Sequence, residues 1–247
     1  SEDEKLRKLV EEVERTLKKL IDYLRENVED VDRILRRLKE LIDRHLKKVR
    51  ELIEKLLRGG IDRKELRDLK RRVEDLHRKI REELKELKKR YKELIDRIKE
   101  DAERILKEAK RKIDEIEKLD DDRKSLLKAL EEIVRDLVRL IRELLRKLKE
   151  INKDLVKAIR ELLEALLEIH KRIVDAIRDI VRRELREDKD TVREIEKDLE
   201  DSKRELERIK EEIEELLKRL EDKNERAIEE IEEDLKRLEE RLREAAK

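Results

Sequence analysis

The chain has 247 residues, 59% of them charged and 1% aromatic, with no Pro, Cys, Met, Trp, Phe or Gln, and a composition so dominated by Leu, Ile, Val, Glu, Lys and Arg is that of long helices. Its 73 basic and 72 acidic residues are interleaved, with a net charge of +1, so there is no electrostatic footprint for nucleic acid. The lack of cysteine excludes disulfides and thiolate metal sites. No run approaches the ~18 apolar residues of a membrane-spanning helix, and the acidic start "SEDEKLRKLV" is unlike the basic, apolar start of a signal peptide.

The first apolar stripe runs from Leu6 through Val13, Leu17, Leu24, Val31, Leu38 and Leu46 to Leu57, in steps of three and four. That is one face of a helix over 1–58. It stops at Gly59-Gly60, which can take the left-handed conformation that ends helices. Asp62 then has the position of an N-cap, with Glu65 as its capping-box partner and Ile61 and Leu66 as a hydrophobic staple.

The second stripe, from Leu66 to Leu119, predicts a helix over 62–119. "LDDDRKS" follows, where Asp121 or Asp122 would cap a third helix over 122–187. Near "REDKDTVRE", Asp188, Asp190 or Thr191 would cap a fourth over 190–247, and Thr191 with Glu194 has capping-box spacing. Neither of these later breaks contains Gly or Pro. Length argues for them: four helices of about 58–66 residues, each roughly 87 Å or more at ~1.5 Å per residue, can cover one another's apolar stripes. Short connections favour antiparallel neighbours. The expected fold is all-α: a single antiparallel up-down-up-down four-helix bundle spanning 1–247.

This register makes a test of the polar residues inside the stripes. Counted from turn centres at 59.5 and 188.5, His45, His77, His170 and Ser202 lie 13.5 to 18.5 residues from one end of the bundle. Asn27, Tyr23, Tyr91, Asn152 and Asn224 lie 31.5 to 36.5 residues from it. All the His, Asn and Tyr of the chain thus fall into two transverse layers, each drawing on all four helices. Thr16 stands apart as an isolated polar position.

A buried polar group without a partner costs roughly 1–3 kcal/mol. Satisfied within a layer, such groups penalise every other register, because slippage would set them against leucines. Structural layers are therefore the preferred reading. Three sharper readings compete at His45, His77 and His170: a three-histidine zinc site with an open position, haem ligation by two of them, and a pH switch. Against a metal, no HxxxH pair appears, and only His77 has a Glu three residues before it, whereas a di-iron bundle needs that spacing on two helices. No cofactor is expected. No phosphate loop, nucleophile elbow or dinucleotide fingerprint appears, so no enzymatic activity is expected either.

The third helix, 122–187, has close to four apolar residues per heptad where the fourth has about two, as "LLEALLEIHKRIVDAI" against "LEDSKRELERIKEEI" shows. Either it sits deepest in an asymmetric bundle, or its flank serves self-association or a designed partner. With its Leu/Ile/Val core, its Glu/Lys/Arg surface, near-equal helices, the "GGID" turn and two polar layers, the chain resembles de novo designed helical bundles with buried hydrogen-bond networks. The resemblance covers the whole chain. It implies high stability, no evolved activity, and use as a scaffold, heterodimer half, cage or switch. The two Gly-free turns depart from that pattern. A natural coiled-coil or spectrin-like rod would be expected to show some Gln, Met or more aromatic residues.

Overall fold

The computed structural model describes residues 2–61, 63–118 and 122–246. They form four helices, α1 (Glu2–Arg58), α2 (Arg63–Lys118), α3 (Arg123–Glu184) and α4 (Lys189–Ala246), packed as a four-helix bundle, with no strand among the described residues.

The glycine pair ends α1 by the mechanism its position suggests. Gly59 N–H donates to the carbonyls of Lys55 and Leu56, at 3.2 and 3.1 Å, and Gly60 N–H reaches Leu57 O at 3.3 Å. Gly60 has φ of +83°, a region that costs an L-residue roughly 1–2 kcal/mol. A Cβ there would meet nothing within 4 Å, so the penalty for one is conformational rather than steric. Gly60→Ala is expected to lower unfolding free energy by about 1 kcal/mol, and Gly60→Asn by less; denaturant midpoints check both. Ile61 and Leu66 are both buried, as a staple requires. Asp62 and Asp121, two of the expected caps, lie outside the described residues.

The later turns are made without glycine. The Asp122 carbonyl accepts the Leu126 N–H at 3.2 Å, the backbone bond of an N-cap residue. The third helix ends at Glu184, three residues short of the expected boundary, because the chain needs those residues to reverse: Asp188 N–H folds back onto Leu185 O at 3.2 Å. Of the three candidate caps, Asp188 serves. Its Oδ1 accepts the Thr191 N–H at 3.2 Å, its Oδ2 accepts the Thr191 hydroxyl at 2.6 Å, and its carbonyl accepts the Val192 N–H at 3.1 Å. Those Thr191 bonds hold the Asp188 carboxyl below its usual pKa.

The helix contacts group into two compact units, each drawing on all four helices: unit 1 is 1–30, 90–154 and 220–247, and unit 2 is 31–89 and 155–219. In unit 1, α1 and α4 are joined by Lys19–Glu230 (2.6 Å) and by Lys223 to Glu26 and Asp30 (2.7 Å each), and α3 and α4 by Arg142–Glu239 (2.9 Å) and Lys149–Glu232 (2.6 Å). In unit 2, Arg37–Glu212, Lys48–Glu205 and Lys55–Glu194 join α1 to α4. Asp32–Lys88, Asp43–Arg81 and Glu54–Lys70 join α1 to α2. Arg160–Glu214 and Arg178–Glu196 join α3 to α4. In every set the numbers rise along one helix as they fall along the other, the pattern of antiparallel neighbours.

Aliphatic side chains fill both interiors. Val13, Leu17, Leu20 and Leu24 of α1 are fully buried in unit 1, as are Ile159 and Ile177 of α3 in unit 2, and each buried Leu or Ile stabilises by about 1.5–3 kcal/mol. The breadth of α3 goes mostly inward: Ile133, Val134, Leu137 and Val138 are all buried. A remainder of its apolar flank is only half-buried. Thr16 needs no partner helix, because its hydroxyl donates to the Glu12 carbonyl at 2.9 Å, one turn back.

Candidate functional site: two polar layers

The layer in unit 1 draws on all four helices. Tyr23 and Asn27 come from α1, Tyr91 from α2, Asn152 from α3 and Asn224 from α4, and all five are buried. Asn27 and Tyr23 are four residues apart, one above the other on the same face of α1. The Tyr23 hydroxyl donates to Asn224 Oδ1. Asn27 Nδ2 donates to the Tyr91 hydroxyl and, at 3.2 Å, to Asn152 Oδ1. Tyr91 in turn donates to the same Oδ1 at 3.0 Å. Asn152 Oδ1 thus accepts twice, the full capacity of an amide oxygen.

Satisfaction is incomplete: Asn27 Oδ1 and Asn152 Nδ2 make no hydrogen bond. Burial pushes the pKa of both phenols well above the ordinary tyrosine value. At Tyr23 the approach of Asn152 offsets part of that rise without closing a hydrogen bond.

In unit 2 the structure brings together three of the four expected residues. His45 of α1 is fully buried and His170 of α3 nearly so. Their ring centroids are 4.9 Å apart with planes tilted by 45°. His170 Nε2 lies 2.9 Å from the Ser202 hydroxyl of α4. Neither nitrogen of His45 has a partner. Burial, then the neighbouring His170 and Lys48, depress the His45 pKa from 6.5 to about 3. Burial, then Lys203, depresses that of His170.

His77 stands outside this group. Its Nε2 is 2.5 Å from Asp43 Oδ1, which also accepts from Arg81 Nε at 3.1 Å. Partial burial works against ionisation of Asp43, but Arg81 and His77 together hold its carboxyl below the usual pKa. Asp43 precedes His45 by two residues, about 200° around the helix at ~100° per residue. The two therefore leave α1 on opposite sides, and His77 meets the outward one. The three imidazoles do not converge. Among the described residues no three His, Cys, Asp or Glu side chains are placed to hold a metal ion. Asp43 is the member of this cluster that the sequence reading missed; being one of many surface carboxylates, it carried no signal of its own.

No family model, curated protein or solved structure matches the chain. Likewise, no helix is long and apolar enough to cross a membrane among the described residues.

Proposed function

We infer that the chain is a structural scaffold of designed type, without an evolved biochemical activity, whose polar layers specify which residues of the four helices lie opposite one another. The Asn–Tyr layer carries this reading. A heptad slip of α4 would exchange Asn224 for Leu217 or Ile231; one of α3 would exchange Asn152 for Leu145 or Ile159; one of α1 would exchange Asn27 for Leu20 or Ile34. All six are buried aliphatics, so each slip would set amides and phenols against hydrocarbon. Leu/Ile layers distinguish registers poorly on their own, and a polar layer in one place is the attested way to select one.

The test is to replace the whole layer with Tyr23→Phe, Tyr91→Phe and Asn→Leu at positions 27, 152 and 224. The expected variant unfolds at equal or higher denaturant concentration, yet gives several sets of amide resonances where the parent gives one. One sharp set for the variant, with unchanged inter-helix distances by spin labelling, would defeat the proposal.

A second reading rests on His45, a fully buried imidazole with no partner on either nitrogen. Such a group is tolerated while neutral and resists protonation. The bundle on this reading is acid-responsive, loosening as the imidazoles are driven to accept protons.

A further inference from the structure

One side-chain pair in unit 2 carries more chemistry than a register-setting layer requires. His170 Nε2 and the Ser202 hydroxyl are 2.9 Å apart, across the junction of α3 and α4. That is the separation at which an imidazole takes a proton from an alcohol. Two neighbours fix the ring: the Ser202 hydroxyl at Nε2, and the His45 ring 4.9 Å away, centroid to centroid. Burial and the charge of Lys203 favour the neutral form of His170. A neutral imidazole with its proton on Nδ1 accepts through Nε2. The serine then donates, and its Oγ becomes the more nucleophilic for it.

A cleft opens beside the pair. It holds about 210 Å³, room for roughly seven waters at ~30 Å³ each, or for a small acyl or phosphoryl group. Leu167 and Val174 of α3 and Leu199 and Leu206 of α4 give it apolar walls, and both His170 and Lys203 belong to its lining. Its rim carries charges of both signs, so it suits a neutral molecule. Leu199 and Leu206 stand three residues before and four after Ser202, which puts the serine on the same face of α4 as these walls. Ser202 itself is half-buried rather than sealed.

We propose that Ser202 is a covalent modification site for neutral acyl- and phosphoryl-transfer reagents, with His170 as its general base. With a fluorophosphonate the hydroxyl proton passes to His170 Nε2. The Oγ–P bond forms as the P–F bond breaks, and fluoride leaves with the electron pair. The imidazolium then releases its proton to solvent, so one adduct forms per chain. Lys203, lining the same cleft, supplies positive charge for the phosphoryl oxygen as it turns negative. This reactivity is independent of register selection by the Asn–Tyr layer, and neither stands or falls with the other.

A fluorophosphonate probe added to the full chain at pH 7.5, with intact mass and peptide mapping over time, tests this. Ser125 is the reference in the same tube. It is exposed and lies 45 residues from His170 along α3, ~67 Å at ~1.5 Å per residue. Ser202 is expected to take up one phosphonyl group at least about tenfold faster than Ser125, a margin set below the ~10²–10⁴-fold of a well-placed general base. Ser202→Ala should leave no adduct on α4. His170→Gln keeps a hydrogen-bonding partner for the hydroxyl but no base, and His170→Leu keeps neither; both should bring Ser202 down to the reference rate. Circular dichroism checks that each variant is folded, and if neither His170 variant folds, the comparison of the two serines in the parent decides alone. Equal rates at Ser202 and Ser125 overturn the proposal, and so does a fast label on Ser202 that survives the loss of the imidazole.

Discussion

Lowering the pH from 7.5 to 5 will destabilise the folded chain by about 2 kcal/mol through His45 alone, with His170 adding a loss of the same sign. The sign follows from linkage. Both imidazoles have folded pKa values depressed below the unfolded value, His45 to about 3 from 6.5. Between those values the unfolded chain binds protons that the folded chain refuses. Stability is therefore complete above about pH 6.5 and falls by up to ~1.4 kcal/mol per pH unit for each such group as the medium becomes more acidic. The surroundings reinforce this: Lys48 on α1 and Lys203 on α4 are cations beside His45 and His170, and each imidazole faces the other. The Asp43 carboxyl is held in its charged form by Arg81 and His77, so its contribution disappears only below its own unfolded value of 3.8, outside this window. Guanidinium midpoints at pH 7.5, 6, 5 and 4.5 measure the slope. His45→Leu should remove most of it. That variant should also be more stable at pH 7.5, since it relieves two buried nitrogens without partners, a penalty of roughly 1–3 kcal/mol. A parent protein whose midpoint is flat across these pH values would remove the basis of the acid-responsive reading.

The contrast between His45 and His77 marks what the sequence can and cannot carry. Counting residues from a turn gives position along a helix, because each residue advances a fixed ~1.5 Å. That count places Tyr91 level with Asn27 and Asn152, and His170 level with His45, and the hydrogen bonds and ring contact agree. It also places His77 within a turn of His45. What it lacks is rotation: whether a stripe residue points at the bundle centre or at a neighbour's edge depends on packing across helices. His77 keeps 17% of its side chain exposed and finds Asp43 instead. Helix ends show the same division. Gly60 is legible because a positive φ favours one residue type. Near 188, three polar residues could each have capped α4, and only the backbone path, with Asp188 folded back on Leu185, selects among them.

Asn27→Asp is the substitution expected to do most damage in the other layer, and its pH dependence runs opposite to that of the histidines. Asn27 is 1% exposed, and its Nδ2 donates to both Tyr91 and Asn152. A carboxyl of the same shape loses those donors and, when ionised, places a charge in a dry interior where the Tyr91 hydroxyl and, after a flip of its amide, Asn152 Nδ2 are the donors at hand. Burial of this kind raises a carboxyl pKa by as much as 3–5 units, so the variant should be weaker than the parent by about 4 kcal/mol at pH 7. A group whose folded pKa lies above its unfolded one disfavours folding increasingly as pH rises between the two. The deficit should therefore be small near pH 4, where the neutral acid can still donate one hydrogen bond, and should grow by ~1.4 kcal/mol per unit above it. Superimposed on the histidine slope, this should make the variant's midpoint climb less steeply than the parent's between pH 4.5 and 6. Asn27→Leu serves as the control: it removes the same donors without introducing a charge, and its deficit should not vary with pH. If the deficit of Asn27→Asp is likewise constant from pH 4.5 to 7, position 27 is wet enough to solvate a carboxylate, and the Asn–Tyr layer cannot be the dry device that selects register.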